Sequence, residues 1–176
     1  MEEYSGPQKQ KPVFYMALLA VLTALTTTVT VAVVIPFPTT SGYLNIGDTI
    51  VMISGLLLGP IGGLIAGGVG SAMADIIVAP QYAPITLVVK GCEGLVVGLI
   101  SRSKRPAKRI QIRDIVALVC GAIVMLAGYF IAESVLFGTG PAWLELLGVN
   151  SIQVTVGIVV AAAVGPVLRD YLEQVR

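Results

Sequence analysis

Eight polar side chains are conspicuous because apolar sequence surrounds them: Asn45, Asp48, Asp75, Lys90, Glu93, Glu133, Asn150 and Gln153. Lys90 and Glu93 lie in KGCEG, inside the run APITLVVKGCEGLVVGLIS. Three residues apart, they share one face of a helix. They can neutralise each other as an ion pair, or they can also hydrogen-bond a polar ligand. Carboxylates in pairs could in principle work as acid and base or hold a metal. No H-E-x-x-H, G-x-S-x-G or Walker motif accompanies them. Histidine, the commonest metal ligand and proton shuttle, is absent. No catalytic residue, metal ligand or cofactor is therefore assigned, and recognition of a small polar molecule is the chemistry that fits.

The elements that position these residues follow from composition. Of 176 residues, 56% are hydrophobic and only 12% charged, and the mean hydropathy is +0.91. A soluble domain of this size cannot hide so much apolar surface, whereas lipid can accept it. Sustained period-2 alternation is missing, which argues against a barrel and for helices. The expected fold class is all-α integral membrane, a compact bundle of about six transmembrane helices with both termini cytoplasmic. Residues 1–13 are read as a cytoplasmic tail, 14–173 as the membrane domain and 174–176 as a short tail. The expected spans are 14–35, 47–58, 60–78, 84–101, 114–137 and 151–168. The second falls short of the usual length of about 20 residues. Gly59-Pro60 reads as a tight turn, and PFPTTSGYLN and GTGPAWLELLGVN as loops. The first apolar run is too long for a signal-peptide core and is taken as a retained span. Cys92 and Cys120 read as buried, inert thiols.

Lysine and arginine give the orientation. Lys9 and Lys11 precede the first span, and Arg102, Lys104, Arg105, Lys108, Arg109 and Arg113 follow the fourth. Arg169 and Arg176 follow the sixth. Six spans put all three groups on one side, the cytoplasmic one, where they can meet anionic lipid. No nucleic-acid partner is expected. In this topology the intramembrane ionisable groups all fall in the outer half. An ionised group at mid-membrane costs about 2.5–3.5 kcal/mol unless paired or hydrated. A shared cavity open outward and closed below is the cheap arrangement, and it suits binding better than a pore. Lys90, Glu93, Asp75 and Glu133 are its expected centre, with Asn45, Asp48, Asn150 and Gln153 as upper wall. The acidic excess favours a ligand with amino or ring N–H donors, or a cation. Tyr43, Tyr82 and Trp143 could cover a ring from outer loops, or anchor the interface.

Small residues recur every fourth position. Gly59, Gly63 and Gly67, then Gly94 and Gly98, then Gly157, Ala161 and Gly165 read as stripes that let helices pack closely. On the first span Ala20, Ala24, Thr28 and Ala32 form a stripe that is either an internal contact or a docking face.

The segments YLNIGDTIVMISGLLLGPIGGLIAGGVGSAMADII, YAPITLVVKGCEGLVVGLI, GYFIAES and NSIQVTVGIVV together resemble the substrate-binding S components of energy-coupling factor (ECF) vitamin transporters, of the riboflavin and hydroxymethylpyrimidine type. The resemblance runs from about Tyr15 to about Ala163. It implies a six-helix subunit in the cell membrane of a prokaryote that binds riboflavin, a thiamine-related pyrimidine or a pyridoxine-like molecule in an outward pocket. It implies partners too: an ECF transmembrane coupling subunit and two ABC-type ATPases. Ala20 and Ala24 match the family's docking stripe, with Ala17 and Thr28 as extensions. PFPTTSGYLN would act as a lid, and toppling of the subunit in the membrane would turn the pocket inward. The competing reading is a stand-alone proton-coupled secondary transporter using Asp75 or Glu133.

Overall fold

A computed structural model describes residues 10–36, 42–101 and 109–175. Long apolar runs form helices because lipid offers the backbone no hydrogen bonds. The elements are α1 (Gln10–Ala32), a two-residue bridge of β1 (Ile35–Pro36) with β2 (Tyr43–Leu44), α2 (Gly47–Val78), α3 (Ala83–Ser101), α4 (Ile112–Leu136), α5 (Thr139–Glu145), one wide π-helical turn at Leu146–Asn150, and α6 (Ser151–Val175). Five helices are long and apolar enough to cross a membrane. Ile76, Ile77, Val88, Ile123, Ile131 and Val159 lie exposed on their outer faces, as lipid contact requires. The chain is an all-α membrane protein.

The run assigned to α2 is a hairpin. Gly59 has φ 75° and ψ −165°, a conformation open to glycine at little cost, and Pro60 begins the second arm where no backbone donor is needed. The arms fold back on each other: Gly63 packs on Gly55, and Gly67 on Val51. The expected turn at Gly59-Pro60 is present.

The second arm meets α3 backbone to backbone. A Cβ added to Gly63 would strike the Gly94 carbonyl, and one added to Gly94 would strike that of Gly63. Gly157 and Gly165 seat α6 against Asp48, Met52 and Leu56 of the first arm. These stripes are internal, as expected. The α1 stripe is not: Ala17, Ala20, Ala24, Thr28 and Ala32 are all exposed, while Leu19, Leu22, Thr26 and Thr30 turn inward.

Several expected boundaries move. α1 starts before residue 14, because Pro12 is tolerated in a first turn, and it ends at Ala32, short of 35. α6 continues past 168 to Val175, through Pro166. GTGPAWLELLGVN is not a loop. It holds α5 and the π-helical turn, with Pro141 again in the first turn of its helix. Cys92 and Cys120 are free but only half-buried. Lys9, Arg102, Lys104, Arg105, Lys108, Arg176 and the Lys11 side chain lie outside the described residues, as do residues 37–41 of the expected lid.

The end remote from the polar cluster carries its own lock. Asp114 caps α4 by accepting from the Gln111 N–H at 3.2 Å. It also accepts a two-bond fork from Arg169 of α6, at 2.9 and 3.3 Å. Arg113 Nε donates to the Ile100 carbonyl at the end of α3. Arg169→Lys keeps the charge but loses the fork. It is expected to destabilise the protein by about 1–2 kcal/mol; a thermal midpoint in detergent equal to wild type would refute the lock.

Candidate functional site

The polar residues converge at the opposite end. A cavity of about 430 Å³, mouth included, is lined from every long element. Its free interior space is room for about two water molecules. α1 contributes Thr30; the strand region contributes Gly42, Tyr43 and Asn45; the second arm of α2 contributes Ser71 and Asp75. Tyr82, Thr86 and Lys90 come from the start of α3 and the turn before it. Tyr129 and Glu133 come from α4, Glu145 from α5, and Asn150 and Gln153 from the π-helical turn and α6. Periodicity explains much of this convergence. Thr86 and Lys90, and Tyr129 and Glu133, are each four residues apart and share a helix face.

Eight of the residues singled out in the sequence line the cavity: Tyr43, Asn45, Asp75, Tyr82, Lys90, Glu133, Asn150 and Gln153. Asp48 and Glu93 do not. Both are wholly buried behind Lys90. Lys90 Nζ pairs with Asp48 Oδ1 and, at 3.5 Å, with Glu93 Oε2. The ion-pair reading of Lys90 and Glu93 is thus realised with a third member, and Lys90 still presents itself to the cavity. Its ammonium lies 5.5 Å from the Tyr129 ring centroid, within cation–π range.

Hydrogen bonds tie this base to the rim. Gln153 Nε2 donates to Asp48 Oδ2 at 2.7 Å. The Asn45 N–H donates to Gln153 Oε1 at 3.0 Å, and the Gly47 N–H to Asn45 Oδ1 at 2.8 Å. Across the cavity, Thr86 Oγ1 and Tyr129 Oη share a bond of 2.7 Å. Tyr43 Oη donates to Asp75 Oδ1 and so fastens the strand bridge over the mouth. Burial, with the Asp75 carboxylate beside it, raises the Tyr43 phenol well above its ordinary pKa. It remains a donor throughout the physiological range.

The third wall carries two carboxyl groups side by side. Glu133 interacts with the side chains of both Glu145 and Asn150. Thr30 Oγ1 is buried without a hydrogen-bond partner among the described residues. Trp143 stands apart: it is half exposed on α5 and packs on Phe130, with ring centroids 4.9 Å apart. Tyr82 does reach the cavity, beside Phe137.

Thr30, Ser71, Thr86, Tyr129 and Glu145 were missed in the sequence. The four-residue spacings to Asp75, Lys90 and Glu133 would have found Ser71, Thr86 and Tyr129. Glu145 was hidden by the reading of its segment as loop.

Comparison with known proteins adds to this geometry. A family profile described as ECF-type riboflavin transporter, S component, matches residues 12–170. A protein of Pyrococcus woesei, described only as an uncharacterized protein in the gap 3' region, is 41% identical over 143 residues, covering 81% of this chain and 93% of its own. The thiamine precursor transporter HmpT of Lactococcus lactis subsp. cremoris is 30% identical over 155 residues, covering 87% of this chain and 86% of its own.

Proposed function

This chain belongs to the family of ECF-type riboflavin transporter S components, and on that premise we propose that it captures a small water-soluble vitamin or vitamin precursor outside the cell and delivers it inward. Riboflavin, a thiamine-related pyrimidine and a pyridoxine-like ring are the candidate ligands. The observation that carries this reading is the polar cavity at one end of the bundle, filled at its base by Lys90, Asp48 and Glu93. A filled base supports binding and hand-over in place of conduction, which needs polar lining from face to face.

Counting the arms of α2 separately gives six crossings. Arg109, Arg113 and Arg169 then share the cytoplasmic side with both chain ends, in keeping with the positive-inside rule. The first arm, 47–58, is about 18 Å long, against a hydrocarbon thickness of about 30 Å. The cavity above it is therefore recessed within the outer half of the membrane. A ring-sized ligand enters by release of Tyr43 from Asp75 and movement of the strand bridge.

The exposed small residues Ala17, Ala20, Ala24 and Thr28 support docking on an ECF transmembrane coupling subunit that carries two ABC-type ATPases. ATP is hydrolysed in those partners, in the cell membrane of a prokaryote. Detergent-purified protein is expected to bind at least one of riboflavin, thiamine, hydroxymethylpyrimidine and pyridoxine in calorimetry. Binding to none of the four removes the reading. Concentrative uptake by this protein alone in liposomes, driven by a proton gradient, would instead favour a secondary transporter.

A further inference from the structure

Resting on that reading for its purpose, we infer that Gln153 is a positioning residue: it ties the mouth of the cavity to the charged base, so that Asn45 and the strand bridge are held in place only while Asp48 is held beside Lys90. The side-chain amide joins two elements. Its Oε1 accepts from the Asn45 N–H at 3.0 Å, and its Nε2 donates to Asp48 Oδ2 at 2.7 Å. The partners fix which way the amide points, because a backbone N–H only donates and an ionised carboxylate only accepts. Asp48 gives its other oxygen, Oδ1, to Lys90. The line Lys90, Asp48, Gln153, Asn45 therefore runs unbroken from base to mouth, and all four residues are buried. Gln153 lines the cavity, but both ends of its amide are already engaged by the protein.

Packing sets the reach of that amide. Gly157 lies one turn further along the same face of α6, and a Cβ there would lie 3.2 Å from the Asp48 Cβ. α6 can thus close on the start of α2 beside the carboxylate that Gln153 must meet. Asn45 is fixed from its other side too. Its Oδ1 accepts from the Gly47 N–H at 2.8 Å, which shapes the turn from β2 into α2. Tyr43 ties the bridge to Asp75 on the second arm of α2; Gln153 ties it to the ion group. An amide deprived of its carboxylate partner is free to rotate, and the Asn45 N–H then loses its acceptor. A buried donor left unpaired is costly, so the segment around Asn45 opens to water instead.

The test is amide hydrogen exchange of the full chain in detergent, resolved to single residues and run without any ligand. In the wild type the Asn45 amide should exchange at least about a hundredfold more slowly than an unstructured amide. Gln153→Glu keeps an acceptor for Asn45 but sets a second carboxylate against Asp48. It is expected to speed exchange at Asn45 at least about tenfold, which is about 1.4 kcal/mol. Adding Asp48→Asn supplies an amide donor for the new carboxylate and leaves the net charge of the site as in the wild type. That double variant should return to within about threefold of the wild-type rate, the non-additivity expected of residues in one network. The amides of Leu118 and Met125, fully buried in α4, report global opening and should not change. Wild-type exchange at the unstructured rate would overturn the inference, and this measurement needs no variant to fold. So would a Gln153→Glu rate equal to wild type, an equal acceleration at Leu118 and Met125, or a double variant as fast as Gln153→Glu. Because no ligand is present, such a failure leaves the vitamin-binding reading in place. Failure of the calorimetric panel would in turn leave the hold of Gln153 on the mouth in place.

Discussion

Lys90→Met is expected to lower the thermal midpoint of the purified protein by about 6–20 °C. The loss comes from what the lysine holds together, not from any ligand. Asp48 and Glu93 are both wholly buried and both pair with its ammonium. Removing one partner of a buried ion pair strands the other charge in a poorly solvated place, at a cost of about 3–5 kcal/mol. Here two carboxyls are stranded by one substitution. The triple variant Lys90→Met, Asp48→Asn, Glu93→Gln removes the charge from all three side chains and should recover most of the loss. A neutral amide at 48 can still meet the Gln153 side chain. A Lys90→Met protein that melts like wild type would show that the triad holds nothing. Failure of the triple variant to recover would place the cost in packing around the lysine stem.

The other large effect is on transport. Ala24→Leu should abolish most energised uptake, by about tenfold to a hundredfold (about 1.4 to 2.8 kcal/mol of docking free energy), with ligand binding by the isolated protein unchanged. Ala24 is exposed on α1 between Ala20 and Thr28, in a shallow apolar groove completed by Met16, Ile65 and Met73. A leucine there lies on the exposed face of α1, away from the buried seam of Leu19, Leu22, Thr26 and Thr30, so stability should be preserved. It does prevent the close backbone approach that small residues permit between membrane helices. Ile123→Ala on α4, exposed on another face, is the control and should transport normally. Uptake by Ala24→Leu equal to wild type, measured with the coupling subunit and ATPases co-expressed, would remove this face from docking.

Much of this was legible in the residues because membrane burial writes a simple code. Apolar runs give helices, and the Gly59-Pro60 pair gives the reversal that makes α2 a hairpin. Charges placed without lipid-facing partners point to a shared cavity, and six of the eight polar residues expected there line it. The failures have physical causes. GTGPAWLELLGVN looks like a loop because three glycines and a proline outweigh its modest apolar content. Proline in a first turn sacrifices no hydrogen bond, so a helix forms and brings Glu145 to the cavity. Asp48 was placed on the upper wall by its position at a helix start. A short arm puts that start deep beside Lys90. The Asp114–Arg169 fork spans 55 residues, a distance at which one sequence carries no pairing signal.

The glycine-to-glycine contact between the second arm of α2 and α3 has a consequence for how this protein can change. Positions 63 and 94 admit no side chain without driving backbones apart. Ser71, Asp75, Thr86 and Lys90 ride the same two helices but point into the cavity. Scaffold and chemistry therefore occupy separate faces of shared elements. Mutational drift at Ser71 can alter the cavity wall without opening this helix seam, whereas a side chain at 63 or 94 opens it whatever is bound. Such a division lets the cavity wall change by a few substitutions while the packing of the frame stays as it is.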